Sequence, residues 1–108
     1  MNNTLRRFTI MYAPITKYHL RAIETKYYRL ICDTVHEQLS FEPTTKTYNR
    51  KPLKRPVLFM ATWEIRFGPQ NRFRVCYDVD IDQSVVAILA IGSKHGNRIM
   101  IGGEEIQL

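Results

Sequence analysis

Near residue 60 the apolar side chains change from helical spacing to strict alternation, which restricts the chain to a fold with helices first and a sheet after them. Between Ile15 and about Phe41, Tyr27, Ile31, Val35 and Leu39 form one helical stripe with Leu30 beside it. Ile15, Leu20 and Ile23 make a shorter stripe that falls out of phase around Glu24 to Lys26, so the region reads as two helices rather than one straight rod. Pro14 suits a first helical turn, where a missing N–H costs nothing. Pro43 ends the region, because the residue before a proline is pushed out of helical geometry. Ahead of the helices, Arg7 to Tyr12 places Phe8, Ile10 and Tyr12 on one face, the pattern of a short strand.

After residue 60 the period is two. Trp63, Ile65 and Phe67 face one way, and Thr62, Glu64 and Arg66 the other. Gly68 and Pro69 mark a turn. From Arg72 onward, Phe73, Val75, Tyr77 and Val79 alternate with Arg72, Arg74, Cys76 and Asp78. If these runs pair as a hairpin, aligning apolar with apolar requires paired residue numbers to sum to an even value such as 138 or 140. Either register gathers Glu64, Arg66, Arg72 and Arg74 on one polar face. Val85 to Ile91 is apolar throughout, as in a central strand covered on both sides, with Gly92 breaking it. A turn over Ser93 to Arg98 follows, and Ile99 to Ile106 reads as a last strand with a bulge or short hairpin. The expectation is an α+β domain: an N-terminal strand, two helices, then a twisted antiparallel sheet.

At 108 residues the chain has room for one core, so residues 1–108 are read as a single domain. The seven-residue run Val85 to Ile91 falls well short of the roughly 20 apolar residues of a membrane-spanning helix. Arg6 and Arg7 lead into a mixed stretch containing Thr9, Pro14 and Lys17, unlike a secretory leader, and the expectation is a cytoplasmic protein without a membrane partner. Cys32 and Cys76 are too few for a disulfide framework. Cys32 and His36 stand four apart on a helix, but no second ligand pair follows, so no metal site and no cofactor is expected.

Charge is unevenly spread. Residues 1–56 carry 11 basic and 4 acidic side chains, against 5 and 6 in residues 57–108. Lys46, Arg50, Lys51, Lys54 and Arg55 fall within ten positions that contain no acid, in a stretch (residues 43–58) with three prolines that reads as a basic connecting loop. Such a run repels itself unless an anion is near, and phosphate backbones are the commonest large anion in a cell. The alternative is a solvated loop that only aids solubility.

The chain has no phosphate-cradling glycine motif and no nucleophile elbow. What remains is the polar sheet face bordered by Lys94, His95 and Arg98. Phosphodiester cleavage needs a base for the attacking oxygen, cations for the phosphoryl oxygens and an acid for the leaving oxygen. RNA supplies its own nucleophile, the 2′-OH. Glu64 or His95 fits the base, His95 or Lys94 the acid, and Arg66, Arg74 and Arg98 the anion clamp. The ordinary alternative is a cross-strand charge ladder worth roughly 0.2–1 kcal/mol per pair.

The stretches Thr62-Trp63-Glu64-Ile65-Arg66-Phe67, Phe73-Arg74-Val75-Cys76-Tyr77-Asp78-Val79-Asp80 and Ile88-Leu89-Ala90-Ile91-Gly92-Ser93-Lys94-His95-Gly96-Asn97-Arg98 resemble the toxins of RelE/ParE toxin–antitoxin pairs. The likeness extends to His36-Glu37-Gln38-Leu39 and to the linker Asn49-Arg50-Lys51-Pro52-Leu53. The resemblance implies a RelE-like toxin that cleaves messenger RNA on the ribosome by 2′-OH attack. It assigns Glu64, Arg74 and His95 as catalytic, and Arg66, Arg72, Lys94, Arg98, Arg50, Lys51 and Lys54 as RNA- or phosphate-binding. ParE-like members share the fold and poison DNA gyrase instead, and an inactive member would only bind its antitoxin. The implied partners are an antitoxin landing near Tyr27, Tyr28 and the sheet edge, the ribosome and its messenger, and operator DNA bound by the toxin–antitoxin complex. Met100 stands where active members often carry a tyrosine, and Glu64 removes one positive charge.

Overall fold

The structure, a computed structural model, describes residues 6–57 and 60–106. Strand β1 (Thr9–Tyr12) leads into helix α1 (Ile15–Arg21), and a single 3-10 turn (Thr25–Tyr27) opens helix α2 (Tyr28–Leu39). The two helices part where their stripes fall out of phase, Glu24 taking an extended backbone (ψ 135°). Six further strands follow: β2 (Arg50–Val57), β3 (Ala61–Phe67), β4 (Phe73–Asp80), β5 (Val85–His95), β6 (Arg98–Ile101) and β7 (Glu104–Ile106).

The seven strands of the described residues form one sheet, six of them in the order β2-β3-β4-β5-β6-β7 and β1 off that path beside β5. The edge of β5 away from β4 is shared by β1, parallel from Thr9↔Val85 to Tyr12↔Ile88, and by β6, antiparallel from Gly92↔Ile101 to His95↔Arg98. The architecture is therefore the expected α+β arrangement with the N-terminal strand first. Strands β3 and β4 pair with residue numbers summing to 140, as in Glu64↔Cys76 and Arg66↔Arg74.

Three expectations are corrected. The proline-rich basic stretch is a loop only as far as Asn49, and residues 50–57 form β2, antiparallel to β3 through Arg50↔Ile65 and Lys51↔Glu64. Prolines are tolerated there because β2 is an edge strand with no outer partner among the described residues; residue 58 lies outside the described residues. Gly92 does not end β5, which runs on to His95. A Cβ at Gly92 would stand 2.7 Å from both the Met100 carbonyl oxygen and Ile101 Cγ1, so the missing side chain is what lets β6 approach. The turn is only Gly96-Asn97, with Gly96 at φ 64° as a two-residue hairpin loop requires.

The helices cover one face of the sheet. Phe8, Ile23, Ile31, Val35 and Leu39 bury against Ile65, Phe67, Phe73, Val75, Tyr77, Val86, Ile88 and Ile91. The opposite face curls over a smaller cluster of Ala61, Cys76, Ala90 and Ile101. Between them lies a β-bulge, where Cys76 pairs with Ala90 but Tyr77 with Ile88, leaving Leu89 as the extra residue. The bulge reverses parity along β5, so that even-numbered Val86 and Ile88 face the helices before it and odd-numbered Ile91 after it. An unbroken apolar run is how such a strand must read.

Candidate nucleic-acid interface

On the sheet face away from the helices, β3 and β4 set Arg66 directly opposite Arg74. Two like charges in that position repel unless something lies between them. Glu64 supplies it, its Oε1 accepting from Arg66 Nε at 3.1 Å and from Arg74 Nη1 at 3.0 Å. The Glu64 and Arg74 side chains are 5% and 12% exposed, while Arg66 keeps 36%. Arg74 Nε is buried with no hydrogen-bond partner among the described residues, a donor that the protein itself leaves unsatisfied.

Neighbouring elements bring more cations to the same place. Lys51 on β2 pairs across to Glu64, and Lys46, Lys54 and Lys94 complete the rim. Together with Pro52, Leu53, Asn97 and Ile99 these residues enclose an open trough of about 750 Å³. Its lining holds six cationic side chains (Lys46, Lys51, Lys54, Arg66, Arg74, Lys94) around the single carboxylate of Glu64. Such a concave surface of one sign concentrates anions. Cys76, paired across from Glu64, is buried: burial first, and then the Glu64 charge, push its thiol up to about 12 against the opposing pull of Arg74.

The trough unites Glu64, Arg66, Arg74, Lys94, Lys51 and Lys54 from the sequence reading and excludes the others. His95 is on the opposite side of the sheet, because beyond the bulge odd positions of β5 turn toward α1. It lines a separate cleft of about 300 Å³ with His19, Ser93, Arg98 and Met100, and its Nε2 lies 2.9 Å from Ser93 Oγ. Arg98 shares that face and donates to Glu105 at 2.9 Å. Met100, in the same cleft, is outside the trough as well.

Arg72 precedes β4 and turns to the helices. Its guanidinium lies over the rings of Tyr27 and Phe73, at 5.0 and 5.5 Å. Arg50 is buried and structural: it donates to the carbonyls of Glu42 (2.6 Å), Thr45 (3.1 Å) and Gln38 (3.0 Å) and to Gln38 Oε1 (2.7 Å), which pins the loop before β2. Tyr27 packs on Phe73 and Tyr28 donates to the Leu20 carbonyl, so both half-buried tyrosines take part in helix packing. Among the described residues no three His, Cys, Asp or Glu side chains are grouped to hold a metal, and the half-buried Cys32 sits beside Tyr12.

Sequence reasoning placed Lys46 in the basic run without assigning it to the site, and passed over Asn97. The signal for both was their position flanking strands whose pairing was not yet visible. No family model matches the sequence, and none of the curated proteins matches it. Among solved structures, the chain is similar to one from the toxin–antitoxin complex RelBE2 of Mycobacterium tuberculosis. The TM-score is 0.68 at 20% identity, over 86% of this chain and 98% of that one. This chain has the RelE-like α+β fold.

Proposed function

We propose that this chain is the toxin of a type II toxin–antitoxin pair, a cytoplasmic RelE-like endoribonuclease that binds messenger RNA on the ribosome in the Glu64–Arg74 trough. The observation that carries the reading is the convergence of six cationic side chains on one buried, doubly hydrogen-bonded carboxylate, on the fold of a known toxin–antitoxin component. An antitoxin with an acidic face would compete with RNA for the trough.

Cleavage proceeds by attack of a 2′-oxygen on the adjacent phosphorus, forming a 2′,3′-cyclic phosphate and breaking the bond to the 5′-oxygen. Both arginine bonds to Glu64 fall on Oε1, and Glu64 takes the 2′-OH proton. Arg66 and Arg74, which both line the trough, hold the phosphoryl oxygens. Lys94 returns a proton to the departing 5′-oxygen in place of His95, which the bulge directs elsewhere. No cofactor enters this scheme.

Primer extension on a translated message after induction tests it. Cuts within codons that vanish in Arg74→Ala are expected, and cuts that persist in that variant overturn the assignment. The absence of an imidazole from the lining of the trough favours a second reading, a member of the same fold that binds without cutting. Growth arrest with intact messages and gyrase-linked DNA breaks would establish the ParE-like form of that reading.

A further inference from the structure

We propose that a second phosphate subsite, formed by Gln70, Arg72, Lys94 and the Gly96 turn, takes the nucleotide adjoining the one held in the trough. The inference rests on the RNA-binding reading of the trough and extends it around the tip of the sheet.

The backbone brings the two hairpin ends together. The Lys94 N–H donates to the Arg72 carbonyl at 2.7 Å, and Phe73 pairs with Ser93. A cleft of about 420 Å³ opens at this junction, lined by Gln70, Arg72, Lys94 and Gly96. Lys94 also lines the trough, so the two concavities share that residue. A strand leaving the trough past Lys94 enters a second hollow lined by two cations, Lys94 and Arg72, the latter 3.7 Å from the Glu24 carboxylate.

Arg72 is well prepared for a phosphate. Stacking over Tyr27 and Phe73 fixes the guanidinium plane. Nη1 donates to the Tyr27 hydroxyl at 3.3 Å, and Nη2 lies 3.7 Å from Glu24 Oε1, a carboxylate that is 60% exposed. The Arg72 side chain keeps 30% of its surface open, and a planar fork oriented in advance loses little freedom when it meets an oxyanion. Beside it, Gln70 (φ 56°, ψ 30°) and Asn71 (φ 53°) occupy the left-handed region in succession. Non-glycine residues adopt that conformation rarely, and such strain gathers at binding sites. Here it presents the exposed Gln70 amide to the cleft.

The test is equilibrium binding of 2′-O-methyl oligoribonucleotides, which lack the nucleophilic hydroxyl, in two lengths: a dinucleotide that the trough alone accommodates and an octanucleotide. Gln70 is exposed, and aspartate tolerates its backbone conformation, so Gln70→Asp and Gln70→Lys should both fold. Gln70→Asp should weaken the octanucleotide about two- to sixfold, the repulsion of one charge at roughly 4–8 Å in water. Gln70→Lys should steepen the octanucleotide's logarithmic salt slope by about 0.7, one further phosphate on a single strand. Neither should move the dinucleotide. Lys51→Ala with Arg66→Ala should weaken both lengths. If that pair weakens both while the Gln70 variants change neither length, or both equally, the subsite is overturned and the trough stands. If the trough pair changes neither length, the RNA reading itself falls.

Discussion

Lys94 and His95 are neighbours in sequence and face opposite sides of the sheet, Lys94 into the cationic trough and His95 into the cleft beside α1. The single extra residue of the bulge, Leu89 opposite Cys76 and Tyr77, decides which of them faces the trough. Lys94→Ala is therefore expected to lower the logarithmic salt slope of RNA binding by about 0.7, the share of one phosphate on a single strand. His95→Ala should leave slope and cleavage unchanged. A salt titration of both variants checks this, and equal losses would place the imidazole back in the site.

The Glu64–Arg74 pair makes a stability prediction. Removing one partner of a buried ion pair strands the other charge, at a cost of about 3–5 kcal/mol. Arg74→Ala should therefore lower the free energy of unfolding in urea by about 3 kcal/mol, with Arg66 still covering part of the carboxylate. Adding Glu64→Gln should recover much of that loss, because no buried charge is left unpaired, Arg66 keeping 36% of its side chain exposed. Additive losses in the double variant would show that the pair is not coupled.

Arg50 is a structural cation, buried where the cations of the trough are not all buried. Its guanidinium holds three backbone carbonyls around the loop before β2, with Tyr77 anchoring the same loop through the Pro43 carbonyl at 2.7 Å. Arg50→Ala should cost about 2–3 kcal/mol for buried acceptors left without donors. The salt slope of RNA binding should stay at the wild-type value. A lowered slope with unchanged urea midpoint would reverse the assignment.

The extent to which the sequence disclosed this fold follows from what repeats locally. The register of β3 on β4 was legible because both strands alternate cleanly, and parity left few choices. The break between α1 and α2 was legible as a phase slip at Glu24. The bulge in β5 was not, since Val85 to Ile91 is apolar at every position and hides a change of face. With it went the direction of His95 and Arg98. Strand β2 was hidden for a different reason: two prolines and four cations within residues 50–57 read as loop, and only an edge position opposite β3 reconciles them with a strand. Arg50 looked like its basic neighbours, and only the loop folded around it marks it as internal.

His19 ties α1 to the sheet and sets an acid limit on stability. It is buried, and its Nδ1 accepts the Ile91 N–H at 3.2 Å, which leaves Nε2 to carry the proton of the neutral ring. Burial lowers its pKa below the usual 6.5, because the charged ring would be desolvated and would lose its acceptor. Within the cleft it shares, the charged or titratable neighbours are His95 and Arg98, with Glu105 paired to Arg98. The unfolded chain therefore binds a proton more readily than the folded one, and stability rises with pH through this window. The contribution is fully present above pH 6.5 and is lost as pH falls through the lowered folded value. The urea midpoint should drop between pH 7.5 and pH 5 in the wild type. The drop should shrink in His19→Asn, whose Oδ1 can accept the same N–H without titrating. An equally steep decline in His19→Asn would assign the acid sensitivity to other groups.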